Sequence, residues 1–253
     1  MGENDECIKR QCCQNGLGIH QDARNEGKHI ERESCIVTDK INTLLFDLDG
    51  TLLDTNELII TSYLHVFEKF YPGRFTRKDV LPFLGPPLID AFVSVDPEKA
   101  EEMVDVYRKF NAEKHDLLVH EFEGVYETIR SLHENNFKMA IVSTKIRKTV
   151  LKGLALANLD KFFDVVVTLD EVEKAKPDPE PLEKALAALE SKPGEAMMIG
   201  DNYHDILGGK NAGTYTCGVA WSVKGADYLK QYEPDFMLDR MSDLLGIVGV
   251  GVR

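Results

Sequence analysis

Short apolar runs bounded by polar and turn residues recur along the chain and predict the strands of a sheet. They occupy positions 41–46, 138–143, 163–169, 196–200 and 214–221. Each run is continuous rather than alternating, which is typical of a strand buried on both faces of a parallel sheet. Segments between them, such as 179–191, carry apolar residues at three- and four-residue spacing and predict amphipathic helices. Strands alternating with helices indicate an α/β fold, a doubly wound (Rossmann-like) parallel sheet with right-handed crossovers.

The connection after the first strand is too long for one helix. Residues 47–137 separate the first two runs, whereas a single crossover needs far fewer. This insert predicts helices, including one at 57–70 and another with Asp96 as its N-cap and Pro97 as its first residue. The sequence therefore predicts a disordered extension at residues 1–40, an α/β core at 41–54 and 125–253, and an all-helical cap at 55–124.

The first 36 residues are polar, lack periodicity and contain four of the five cysteines, Cys7, Cys12, Cys13 and Cys35. Because their spacing contains no C-x₂-C pair, an unstructured segment with free thiols is favoured over a small metal site. A start codon assigned too far upstream would also produce such a segment, and Val37 is then the expected initiator.

Composition and charge narrow the classes of partner. The 253-residue chain carries a net charge of -13, which argues against nucleic acid or an anionic membrane as the main partner. No apolar run approaches the roughly 20 residues of a membrane span, and the first residues lack the apolar segment of a signal peptide. We therefore expect a cytoplasmic protein. Small anionic substrates stay possible, because a bound divalent cation inverts the local field.

Polar side chains follow four of the predicted strands, at the carboxyl edge where open parallel sheets bind ligands. They are Asp47 and Asp49, then Ser143, Thr144 and Lys145, then Lys176, then Asp201 and Asp205. This set suits phosphoryl transfer through a covalent carboxyl phosphate. Asp47 would attack phosphorus, and Asp49 would protonate the leaving oxygen and later deprotonate water. Ser143 would donate to a phosphate oxygen, and Lys176 would offset negative charge.

Several carboxylates at one edge require a cation, and their hard oxygen atoms suit Mg²⁺. The predicted ligands are Asp47, Asp49, Asp201 and Asp205. For Asp205, metal binding through a water molecule and simple support of Lys176 are both open. Asp54, a little further along, is expected to cap the first cap helix.

Substrate contacts are predicted from the turns that follow the strands. Gly50 and Thr51 would turn the chain and leave main-chain N–H groups free for phosphate oxygens. Thr144 would add a hydroxyl. Arg147, with Lys148, would hold a second phosphate or would simply be a solvated charge at a helix start.

The motifs "DLDGT", Ser143, Lys176 and "GDNYHD", in this order, resemble those of the haloacid dehalogenase superfamily. The resemblance implies a hydrolase with a covalent aspartyl intermediate, and the helical insert is similar to the C1-type cap. Asp49 implies a phosphatase or mutase, since the dehalogenase and phosphonatase branches lack this carboxylate.

At a finer level, "FLGPPLID", "EFEGVYETI" and "AKPDPEP" are similar to bacterial inorganic pyrophosphatases of this superfamily. That implies Mg²⁺-dependent hydrolysis of pyrophosphate to two phosphates, with pyrophosphate arising when phosphoserine of the carrier protein HPr is phosphorolysed. The loop Gly85–Leu88, named the cap loop here, would close over a compact leaving group, with Gly85 and Pro86 near the substrate. Alternatives are a phosphoglycolate-type phosphatase, a mutase and a non-catalytic phosphate-binding protein; the oligomeric state is left open.

Overall fold

A computed structural model describes residues 41–251. The predictions for residues 1–40, which concern disorder, the cysteines and the start of the chain, lie outside the described residues. The strands in the described part are β1 (Thr43–Phe46), β2 (Leu53–Asp54), β3 (His120–Glu121), β4 (Lys138–Val142), β5 (Val165–Val167), β6 (Ala196–Gly200), β7 (Tyr215–Val219) and β8 (Phe236–Leu238). The α-helices there are α1 (Asn56–Phe70), α2 (Arg77–Val80), α3 (Leu88–Val95), α4 (Ala100–Leu118), α5 (Val125–Glu134), α6 (Arg147–Leu156), α7 (Glu180–Ala188), α8 (Tyr203–Ala212), α9 (Ala226–Lys230) and α10 (Asp243–Ile247).

Six strands form one sheet in the order β5-β4-β1-β6-β7-β8, and every neighbouring pair is parallel. This confirms the predicted doubly wound α/β core. β8 was not predicted; it adds a sixth strand at one edge. Phe46 lies opposite Ile141 on one side and Ile199 on the other. The residues that follow β1, β4 and β6 therefore leave the sheet at the same level.

The continuous apolar character of β1 reflects helices on both faces of the sheet. Leu44 and Phe46 pack into the larger hydrophobic cluster, whereas Leu45 belongs to a separate cluster on the other face. All three side chains are fully buried. A strand without a solvated face has no need for alternating polar positions, which is why the run from Leu44 to Phe46 is continuously apolar.

Helices α1 to α4, between β2 and β3, form the cap and have a hydrophobic cluster of their own. Tyr63, Phe67, Phe92 and Tyr107 lie at its centre with ring centroids about 5 to 6 Å apart. β2 and β3 pair antiparallel where the chain leaves and re-enters the core.

Two helix starts in the cap test predictions made from the sequence. The Asp54 carboxylate accepts the main-chain N–H of Asn56, the first residue of α1, at 3.1 Å. The N-cap position is Thr55, so Asp54 supports the helix start from one residue before the N-cap. The prediction for Asp96 was wrong in position, because α4 begins at Ala100. The Asp96 carboxylate instead accepts the N–H groups of Glu98 and Lys99 at 3.1 and 3.3 Å and closes a turn before the helix.

Among the helices of residues 41–251, none combines the length and the apolar character that a bilayer crossing requires.

Candidate active site

Lys176 joins two carboxylates at the carboxyl edge of the sheet. Its Nζ donates to Asp47 Oδ1 at 2.8 Å, to Asp205 Oδ1 at 2.7 Å and to the carbonyl oxygen of Val142 at 2.6 Å. The lysine is only 3% exposed. Burial alone would lower the pKa of Lys176, but the nearby Asp205 and Asp47 carboxylates outweigh it and raise this pKa above its usual value. The ammonium is therefore held in its charged form beside Asp47.

Asp201 completes a cluster of three buried carboxylates with Asp47 and Asp205. One oxygen atom from each lies within 4.8 Å of the others. Burial, opposed by Lys176 and reinforced by neighbouring carboxylates, raises the pKa of Asp47 to about 7. Burial and Asp47 raise the pKa of Asp201 well above its usual value. Three crowded carboxylates with one lysine leave excess negative charge, and their hard oxygen atoms suit a divalent cation such as Mg²⁺.

Gly50 is required by the close approach of Asp201. A Cβ atom at this position would lie 2.4 Å from Asp201 Oδ2, and the φ of Gly50 is +81°. Only glycine combines this left-handed conformation with the available space. The glycine of "DLDGT" thus allows the first and fourth motifs to meet.

Both oxygen atoms of Asp205 have protein partners. Oδ1 accepts from Lys176, and Oδ2 accepts the main-chain N–H of Asn202 at 3.0 Å as part of a capping box at the start of α8. Of the two roles that the sequence left open for Asp205, the structure therefore shows the support of Lys176. The position of Asp205 within the carboxylate cluster keeps it a candidate metal ligand as well.

Asp49 lies outside that cluster, although it was predicted as a metal ligand. Its Oδ1 accepts from Lys145 Nζ at 2.6 Å. The physical reason is the turn after β1, which aims the side chains of Asp47 and Asp49 at different partners. Asp49 still lines the same cavity as Asp47, where it can exchange protons with a substrate.

The predicted main-chain phosphate contacts need correction. The N–H of Gly50 donates to the carbonyl of Leu53 at 2.8 Å and that of Thr51 to the carbonyl of Leu48 at 3.4 Å, and neither residue lines the cavity. Within residues 41–251, the N–H groups of Leu48 and Asp49 donate to no other protein group. The free donors are thus one or two residues closer to Asp47 than predicted, because the turn uses the later amides internally.

The residues after β4 divide into those that line the cavity and those that do not. Ser143, the predicted donor to a phosphate oxygen, is not among the lining residues. Ser143 is buried and its Oγ accepts the N–H of Lys145 at 3.2 Å. Thr144 lines the cavity and donates to the carbonyl of Gly85 at 2.9 Å. For Arg147, the sequence left open a contact to a second phosphate or a solvated charge at a helix start, and its contacts favour the second. Its Nη1 donates to the Val166 carbonyl at 2.9 Å and to Glu171 at 3.0 Å, away from the cavity.

A cavity of about 360 Å³ lies between the cap and the carboxyl edge of the sheet, and Gly85 and Pro86 of the cap loop line it. Sequence reasoning missed much of its wall. The basic or neutral polar groups of the wall that received no role from the sequence are Arg108, Asn111, His115, Lys152, Asn202 and His204. Lys145 and Lys148, which the sequence had singled out, also line the cavity. Burial lowers the pKa of His204 to about 4, so this imidazole is neutral near pH 7. Amphipathic spacing on α4 was the available signal for Arg108, Asn111 and His115.

Comparison with known proteins agrees with this geometry. Residues 44–219 match the family model described as haloacid dehalogenase-like hydrolase. A protein of Anoxybacillus flavithermus named pyrophosphatase PpaX is 61% identical over 213 residues, which cover 84% of this chain and 99% of that protein. Its namesake in Halalkalibacterium halodurans is 60% identical over 214 residues, 85% of this chain and 100% of that protein. The solved structure of a haloacid dehalogenase-like family hydrolase from Streptococcus pneumoniae has the same fold, with a TM-score of 0.73 at 24% identity, covering 81% of this chain and 97% of that one.

Proposed function

The chain belongs to the haloacid dehalogenase-like hydrolase family and is a phosphatase, and we propose that its substrate is inorganic pyrophosphate. The observation that carries the proposal is the buried pair between Lys176 Nζ and Asp47 Oδ1, 2.8 Å apart, beside Asp49 in a cavity covered by the cap. The choice of pyrophosphate is supported by the identity of about 60% to two proteins named pyrophosphatase.

The first step transfers a phosphoryl group to Asp47. Lys176 holds Oδ1, and the other carboxylate oxygen attacks one phosphorus atom of pyrophosphate. The new O–P bond forms as the bridging P–O bond breaks, and the second phosphate leaves with the electron pair. Asp49 supplies a proton to that leaving oxygen. The free N–H groups of Leu48 and Asp49 are suited to stabilise charge on the transferred phosphoryl oxygens.

The second step returns Asp47 to its starting state. Asp49, now a carboxylate, removes a proton from water as the water oxygen bonds to phosphorus. The bond between phosphorus and Asp47 breaks, and the phosphate that was held on Asp47 is released. One pyrophosphate and one water give two phosphates, and Asp49 recovers the proton that it gave in the first step.

A magnesium ion fits the remaining carboxylates. Asp47, Asp201 and Asp205 would hold it, because their oxygen atoms converge in a buried site with excess negative charge. When bound, such an ion supplies positive charge that offsets the phosphate and polarises its oxygens. The family resemblance also suggests that the pyrophosphate comes from phosphorolysis of phosphoserine on HPr. If so, the enzyme works in the cytoplasm.

The test is phosphate release with Mg²⁺ from equal, sub-saturating pyrophosphate, 2-phosphoglycolate, glucose 1-phosphate and p-nitrophenyl phosphate. We expect pyrophosphate to be preferred by about tenfold or more, which corresponds to about 1.4 kcal/mol of transition-state discrimination. Asp47→Asn serves as the inactive control. A preference for 2-phosphoglycolate would keep the mechanism and overturn the substrate. Equal rates on all four would overturn the specificity altogether.

A further inference from the structure

Three core side chains fasten the cap to the core, and none of them takes part in the phosphoryl transfer described above. The carbonyl oxygen of Leu84 accepts from Lys224 Nζ at 2.8 Å and from Asn202 Nδ2 at 2.9 Å. The carbonyl oxygen of the next residue, Gly85, accepts from Thr144 Oγ1 at 2.9 Å. Two adjacent carbonyl groups at the start of the cap loop are thus bound by three donors.

The three donors come from separate strands of the sheet. Thr144 follows β4, Asn202 follows β6 and Lys224 follows β7. They therefore hold the cap loop over the same edge at which Asp47 lies. The fit is close: a Cβ at Gly85 would lie 2.2 Å from Asn202 Nδ2, and the φ of Gly85 is +108°.

Lys224 is the charged member of this set and is half-buried. A charged donor makes a stronger hydrogen bond than a neutral one, particularly where water is partly excluded. Val223, immediately before it, packs against the hydrophobic cluster of the cap. The segment after β7 therefore contacts the cap through an apolar side chain and an ion–dipole hydrogen bond together.

We propose that Lys224 is a positioning residue that keeps the cap loop closed, with Thr144 as its neutral counterpart. Closure limits the cavity to about 360 Å³, and so it favours compact leaving groups over large ones. The role concerns the phosphatase reaction at this site and holds whichever small phosphate is the substrate.

The test replaces Lys224 by Met, which keeps an unbranched apolar stem and removes the ammonium. Lys230→Met is the matched control, because Lys230 is exposed and, among residues 41–251, forms an ion pair only with Asp227 on its own helix, at 3.0 Å. Amide hydrogen exchange of residues 81–92 and the steady-state constants are measured for both variants and for the parent protein. In Lys224→Met we expect exchange in this segment to quicken and kcat/KM to fall, each by about tenfold, with most of the change in KM. The control should match the parent.

Two further variants separate closure from other roles of Lys224. Thr144→Val removes the donor to Gly85 and should quicken exchange in the same segment, whereas Lys224→Arg keeps a donor and should restore slow exchange. Unchanged exchange in both Lys224→Met and Thr144→Val would overturn the proposal. The proposal would also be overturned if kcat/KM fell and the Mg²⁺ requirement rose while exchange stayed unchanged. Lys224 would then act through the charge of the nearby Asp201 carboxylate and not through the cap loop.

Discussion

Replacing Lys176 by Met should destabilise the protein as well as inactivate it. The ammonium is buried between Asp47 and Asp205, whose side chains are 10% and 2% exposed. Its removal leaves two buried carboxylates without their counter-charge and the Val142 carbonyl without its donor. Breaking a buried ion pair from one side typically costs about 3–5 kcal/mol. Little solvent reaches these groups, so we expect the free energy of unfolding to fall by about that amount.

The assay is urea unfolding of metal-free protein, followed by circular dichroism and by the fluorescence of Trp221, the single tryptophan of the chain. Lys174→Met is a suitable control. Lys174 lies two residues away with a 70% exposed side chain, and its pair with Asp178 should be worth less than about 1 kcal/mol. The double variant Lys176→Met/Asp205→Asn should be more stable than Lys176→Met, because it removes one of the stranded charges.

Two results would refute this reasoning. One is a loss below about 1 kcal/mol in Lys176→Met, which is the size expected of an exposed pair. The other is a double variant that is less stable than Lys176→Met. That result would mean that the Asp47 and Asp205 carboxylates do not destabilise each other once the lysine is gone, contrary to the expected repulsion between buried like charges.

Three other predictions follow from single contacts. Gly85→Ala places a Cβ 2.2 Å from Asn202 Nδ2. The resulting backbone strain of about 1–3 kcal/mol should lower kcat/KM tenfold or more. Unchanged kinetics would contradict this prediction. Burial raises the pKa of Asp47 from 3.8 to about 7, so the native state binds the extra proton and its stability falls as pH rises through about 7. Thermal unfolding in EDTA at pH 5 and pH 8, compared between the parent and Asp47→Asn, tests this, and an equal pH dependence in the two proteins would oppose it. Asp54→Ala removes the acceptor for the N–H of Asn56 and should cost about 1 kcal/mol in urea unfolding, whereas a neutral change would show that this contact does not stabilise the start of α1.

The core strands and the residues that follow them were predictable because burial on both faces leaves a clear signal. β1, β4 and β6 lie inside the sheet, and the polar residues that end them stand out against apolar runs. β8 carries a weaker signal. It has three residues, and Phe236 and Met237 are only half-buried at the edge of the sheet, so its pattern resembles that of an ordinary loop.

The direction of each side chain was not predictable from spacing along the chain. Lys145 and Arg147 follow the same strand two residues apart, yet one contacts Asp49 and the other contacts Glu171. The partner of Arg147 comes from the segment after β5, and only the folded structure brings these two segments together. The free amides of Leu48 and Asp49 were missed for a similar reason, because the hydrogen bonds inside a turn depend on its conformation.

The central claim is that Asp47 carries the phosphoryl group, and mass spectrometry of acid-quenched enzyme tests it most directly. Asp49→Asn is suited to this test, because it removes the base for the second step while the leaving phosphate needs little help in the first. After incubation with pyrophosphate and Mg²⁺, we predict an added mass of about 80 Da, one phosphoryl group, on the peptide that contains Asp47. The double variant Asp47→Asn/Asp49→Asn should lack it. Absence of the adduct from both Asp49→Asn and rapidly quenched parent enzyme, while the parent hydrolyses pyrophosphate, would contradict the covalent mechanism.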